Sequence, residues 1–186
     1  MSRLDTISAD ALCSVVRLQA RKHCEELCLA LCTTAATLPL KTPIEEQVEA
    51  LVAYAKTGAW TRPDDAQAVL REVHRTLYAS AAEFAVVMSR AWLAHPEDTI
   101  ALLARVCLAR ATIAAGENVP RPWLASLADR DEKSLREAVK AGELVCVEGA
   151  RPVTGGKEER PVTAASAKAW LARRGVAGYA SADPAQ

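Results

Sequence analysis

The sequence predicts a mainly helical protein: an N-terminal part of four or five helices, then a small C-terminal domain of short helices with one short β-hairpin. Three observations lead there. Apolar residues recur at three- and four-residue intervals over most of the 186 residues, the period of helices with one buried side. Aromatic residues make up only 4% of the chain, and the abundant Ala favours helix over strand. A convincing strand signal occurs in one place, around residues 144–162.

The first helix runs from Ser8 to about Thr37, with Leu12, Cys13, Val16, Ala20, Cys24, Leu27, Cys28 and Leu31 on one broad face and Arg17, Arg21, Lys22 and Glu25 outside it. It ends before Pro39. Thr42-Pro43-Ile44-Glu45 is a start signal: Thr42 caps, Pro43 suits the first helical position, and Glu45 completes a capping box. That helix reaches Lys56 and is stopped by Gly58. Pro63 with Asp64 and Asp65 opens the next, near Asp64. From there to Ala94 no Gly or Pro interrupts the pattern, which fits one long helix or two joined near Ser80. His95-Pro96-Glu97-Asp98 restarts the chain into a helix that ends at Gly116.

After Gly116 the texture changes. A short helix from about Pro120 to Ala128 and a second from Asp131 to Ala141 are joined by a tight connection, with Gly142 as the stop. Leu144 to Val147 and a stretch near Arg160 to Val162 flank the turn-rich Gly149 to Gly156 and form a hairpin. Thr163 caps a last helix, Ala164 to Arg174, closed by Gly175. The chain thus divides into a helical part at 1–116, expected to self-associate, a second domain at 117–178, and a disordered tail at 179–186.

Trp123-Leu-Ala-Ser-Leu-Ala-Asp-Arg-Asp-Glu-Lys-Ser-Leu-Arg-Glu-Ala-Val-Lys-Ala-Gly-Glu-Leu144 resembles the core of excisionase and MerR-like DNA-binding domains. Pro161 to Gly175, with its Trp170-Leu171 pair, resembles their closing helix. The resemblance covers about a third of the chain and implies a winged helix-turn-helix fold. Asp129-Arg130 stands where the family places Gly and a buried aliphatic residue, and the wing is longer. Independently of the family, Leu124, Leu127 and Ala128 form one apolar edge and Leu135, Ala138 and Val139 another, which a tight turn brings together.

The second of these helices then presents Glu132, Lys133, Arg136, Glu137 and Lys140 to solvent. In a helix-turn-helix motif that face enters the major groove. Lys133 and Arg136 suit base edges or phosphates, Ser134 suits either, Glu137 accepts from cytosine, and Lys140 lies on the same face. Arg151, Lys157 and Arg160 sit in or beside the wing, where a basic loop meets phosphates. Double-stranded DNA is therefore the expected partner, and neither cofactor nor metal is called for.

Charge sets a limit on this expectation. The formal net charge is zero, so the molecule as a whole has no strong field to gather nucleic acid. Residues 1–116 hold 12 basic and 13 acidic side chains, against 11 and 9 in 117–178. So small an excess points to a homodimer, formed through the N-terminal helices, that offers two copies to DNA. Transcriptional regulation or plasmid- or phage-type maintenance is the expected role. The alternatives are a non-enzymatic adaptor whose C-terminal module binds protein and a thiol-responsive regulator.

Other features have plainer readings. Cys24, Cys28 and Cys32 line one side of the first helix with Cys13, but Cys24 and Cys32 stand roughly 12 Å apart along the axis. Packing of small sulfur side chains accounts for the stripe. His23, His74 and His95 have no carboxylate or Cys at ligand spacing, and no nucleophile motif is present, so no enzyme is expected. Trp60 and Trp92 suit an aromatic-poor core. The uncharged run Leu27 to Leu40 spans 14 residues with three Thr and a Pro, too short and polar for a bilayer. With Arg3, Asp5 and Asp10 in place of a signal-peptide core, a cytoplasmic protein is expected.

Overall fold

The computed structural model describes residues 5, 7–30, 43–77, 99–147 and 160–179. Seven helices lie among them: α1 (Ala9–Ala30), α2 (Pro43–Thr57), α3 (Ala66–Leu77), α4 (Thr99–Ala114), α5 (Arg121–Leu127), α6 (Glu132–Lys140) and α7 (Ala164–Arg173). The protein is mainly helical, as its periodicity predicts. Several expectations fall outside the described residues: the end of the first helix, Thr42 and Cys32, the junction near Ser80, Trp92 and His95, the turn between the hairpin strands with Arg151 and Lys157, and the tail after Tyr179.

The helix starts follow the sequence closely. Pro43 is the first residue of α2. Ser8 Oγ accepts the Ala11 N–H at 3.3 Å, and Asp65 Oδ2 accepts that of Ala68 at 3.1 Å, one residue past the Asp64 start read from the sequence. The stops are glycines with positive φ. At the end of α4, Gly116 (φ 76°) lets its own N–H reach Ile113 O at 3.1 Å and the Glu117 N–H reach Thr112 O at 3.0 Å. This doubled bond satisfies carbonyls that the helix leaves open.

α1, α2 and α3 pack on one another. Val48, Leu51, Val52 and Ala55 of α2 are buried at helical spacing against Leu12, Cys13 and Val16 of α1 and Val69, Leu70 and Val73 of α3. Glu45 is also buried, and its carboxylate pairs with the Arg17 guanidinium of α1. Its place in the first turn of α2 thus also serves the neighbouring helix.

α4 is buried around its whole circumference from Ala101 to Arg110. It packs on α2 and α3 in one direction and on α5 and α7 in the other. The buried side chains accordingly form a single cluster that runs from Ile7 to Leu171. Ala101, Ala104 and Ala109 let neighbours approach closely, while Leu102, Leu103, Val106 and Leu108 supply apolar area. Among the described residues, no helix is long and apolar enough to cross a membrane.

Candidate nucleic-acid interface

α5 and α6 are joined by a four-residue connection whose geometry turns on Asp129. Its φ is 51°, a left-handed conformation that glycine adopts freely and other residues adopt at a cost. Asp129 adopts it with a side chain present. The Arg130 N–H then reaches Ala125 O at 2.9 Å, and Asp131 caps α6 by accepting the Ser134 N–H at 2.7 Å. Arg130 is exposed, unlike the buried aliphatic residue of the family.

The α6 surface divides as its sequence requires. Leu135 and Ala138 are buried against a floor that includes Leu124 and Leu127 of α5. Lys133, Arg136, Glu137 and Lys140 are exposed, and Ser134 is half-buried. From Lys133 to Lys140 the charged stripe, three cations with Glu137 among them, spans roughly 10 Å of helix, about three base-pair steps. Arg160 is also exposed and lies outside α6, two residues before Val162.

A narrow antiparallel arrangement holds the segment around Val162. Val162 bridges Val119 on one side and Cys146 on the other. Val119 and Val162 exchange both backbone bonds at 2.9 Å, Val147 N–H reaches Pro161 O at 2.9 Å, and Thr163 N–H reaches Val145 O at 3.0 Å. Thr163 also caps α7, as the sequence indicates. Val119 comes from the link between α4 and α5, a partner that a hairpin reading does not include.

Glu143, directly after the Gly142 stop, ties the end of α6 to α7. Its carboxylate accepts Trp170 Nε1 at 3.2 Å and Arg174 Nη2 at 3.1 Å, while its backbone carbonyl accepts Arg173 Nη2 at 3.3 Å. The Arg174 guanidinium also lies 4.3 Å from the centroid of the Trp170 ring. A recess of about 330 Å³ results beside the α6 stripe, lined by Arg130, Ser134, Glu137, Glu143, Trp170 and Arg174. The Gly-Glu-Leu and Trp-Leu elements, read separately in the sequence, are thus one contact.

Two buried arginines of α4 brace the unit. Arg105 donates from Nε to Ser126 Oγ at 2.9 Å, and that hydroxyl donates to Pro122 O at 3.0 Å, fixing α5. Arg110 donates from Nε and Nη2 to Ala55 O and from Nη1 to Ala177 O, joining α2 to the segment after α7. Sequence reasoning missed both. The available signal was two charges in an otherwise apolar helix, where a cation needs buried acceptors.

Burial raises the Cys13 and Cys107 thiol pKa values, that of Cys107 to about 12, so both disfavour the reactive thiolate. Cys24 and Cys28 lie on α1. Among the described residues no group of three His, Cys, Asp or Glu side chains is placed to hold a metal. No protein-family model matches the chain, and neither a curated protein nor a solved structure matches it.

Proposed function

We propose that the chain is a sequence-specific double-stranded DNA-binding protein of the winged helix-turn-helix kind, serving transcriptional control or plasmid- or phage-type maintenance. The observation that carries this reading is α6 itself. It is pinned at its start by the Asp129 turn and Asp131 cap and at its end by Glu143, and it turns Lys133, Arg136 and Lys140 outward in one stripe. An exposed helix held at both ends, with these cations outward beside Glu137, suits the major groove.

The order of elements supports the same reading. A helix (α4), an extended residue (Val119), two helices joined by a tight turn (α5, α6), and two further extended segments around Cys146 and Val162 form one unit. In this arrangement α4 belongs to the reading unit as its first helix. Arg160, next to the extended segment at Val162, is exposed and adds a cation to this unit.

The protein acts as a homodimer, because an excess of two positive charges per C-terminal domain is too small for tight binding by one copy. Val15 and Leu18, 42% and 67% exposed on one side of α1, give the N-terminal helices an apolar contact surface. No step of chemistry is assigned to the protein, and its place is the cytoplasm.

The test is recovery of genomic fragments by the purified protein across a salt series, followed by sequencing. A common, palindromic site whose recovery falls as salt rises supports the reading. Lack of retention at low salt refutes it and leaves the exposed α6 face as a protein-binding surface.

A further inference from the structure

A cavity of about 190 Å³ lies where α2, α4, α7 and the segment after α7 meet. Its lining combines two cations, Arg110 and Lys168, with the rings of Tyr54 and Tyr179 and the apolar side chain of Ile113. Arg110 is only 3% exposed. Its bonds to Ala55 O and Ala177 O, all between 3.0 and 3.2 Å, engage three of the five guanidinium N–H groups, and the Tyr179 side chain adds a hydrogen bond and sets its ring centroid 5.4 Å from the guanidinium.

Those acceptors are neutral carbonyls. The C-terminal end of α2 contributes the equivalent of about half a negative charge, and among the described residues no carboxylate pairs with Arg110. A buried guanidinium without a full counter-charge stands next to open volume. Burial correspondingly pulls its pKa below the usual value. Lys168 is exposed, so a second cation faces the solvent side of the same cavity.

We propose that this cavity binds a small planar organic anion, a carboxylate carried on a single aromatic ring. The carboxylate accepts a charge-assisted bond from the guanidinium N–H that the carbonyls and Tyr179 leave available. The ring lies against Tyr54 and Tyr179. Tyr54 is itself steadied by the edge-on Trp60 ring, with centroids 5.5 Å apart. The volume sets the size of the ligand: a cavity of about 150 Å³ holds benzene, so one ring with its carboxylate fills this one.

The wall formed by the chain after α7 is fixed by close approach. A Cβ at Gly178 would fall 2.8 Å from Thr57 O and 3.1 Å from Arg110 Nη1. The site makes no use of α6 and is separate from DNA binding.

The test titrates the full chain with sodium benzoate, observed through backbone amide spectra, beside benzamide and acetate. One saturable set of shifts that includes Gly58 and Gly178 is expected, with benzoate at least tenfold tighter than either control. Lys168→Glu is expected to weaken benzoate tenfold or more without lowering the thermal midpoint of the unliganded protein, since the new carboxylate sits beside an uncompensated guanidinium. The proposal is overturned by lack of saturation at about 10 mM, where even an inefficient ligand of this size registers. Equal binding of benzamide or acetate, shifts that map elsewhere, or indifference to Lys168→Glu overturns it as well.

Discussion

Replacing Glu143 tests how the end of α6 is held. In Glu143→Ala the Arg174 pair is lost, but both side chains are substantially exposed, at 36% and 47%. Solvent screening limits that pair to about 0–1 kcal/mol. The Trp170 indole matters more: the residue is 1% exposed, and its N–H loses an acceptor at 3.2 Å. Leaving a partly buried donor unsatisfied costs about 1–2 kcal/mol, so the expected loss for Glu143→Ala is about 1–3 kcal/mol in sum. Glu143→Gln retains an amide oxygen for the indole and loses only the charge, for about 0.5–1 kcal/mol. Urea unfolding followed by circular dichroism gives both values. Equal losses in the two variants, or less than about 0.5 kcal/mol in Glu143→Ala, would refute the assignment of the indole bond as the main tie.

Three further outcomes are expected. Lys133→Glu with Arg136→Glu should leave the thermal midpoint unchanged, since both residues are exposed, and should abolish or greatly weaken DNA retention in a gel-shift salt series; Lys133→Ala or Arg136→Ala alone should flatten the salt slope by about 0.9 if the residue contacts a phosphate. Asp129→Val should destabilise by about 1–2 kcal/mol, because a branched side chain must enter the left-handed region at φ 51°, whereas Asp129→Asn should stay close to the parent in the same unfolding assay. Cys107, raised from 9.0 to about 12 by burial, contributes stability that is complete below pH 9 and lost as pH rises toward 12, because only the unfolded thiol ionises in that window. The denaturation midpoint should therefore fall above pH 9, and Cys107→Ala should reduce that fall; identical alkaline profiles would exclude the thiol as its source.

Local chemistry made much of this fold legible. Pro43, Asp131 and Thr163 announce helix starts because each solves a specific end problem: a missing N–H or an orphan donor. Gly58, Gly116, Gly142 and Gly175 announce stops through positive φ. The exposed side of α6 follows from Leu135 and Ala138 alone, since burying those two residues turns Lys133, Arg136 and Lys140 outward. Long-range pairings were not legible. Val119 is one extended residue before Pro120, and a single bridge leaves no alternating pattern to read. The division after Gly116 likewise follows a change of texture, whereas α4 packs on elements on both sides of it. Arg105 and Arg110 look like solvent-facing charges until the carbonyl and hydroxyl acceptors on other elements are known.

The clip around Val162 also marks a place for engineering. Val147 and Pro161 are joined by a backbone bond of 2.9 Å, so the chain between them departs from and returns to nearly the same point. With the two ends already brought together, lengthening the intervening segment adds little closure entropy, about 0.6 kcal/mol for each doubling. A peptide tag or a small fluorescent reporter with adjacent termini can therefore be inserted there while the rest of the chain keeps its packing.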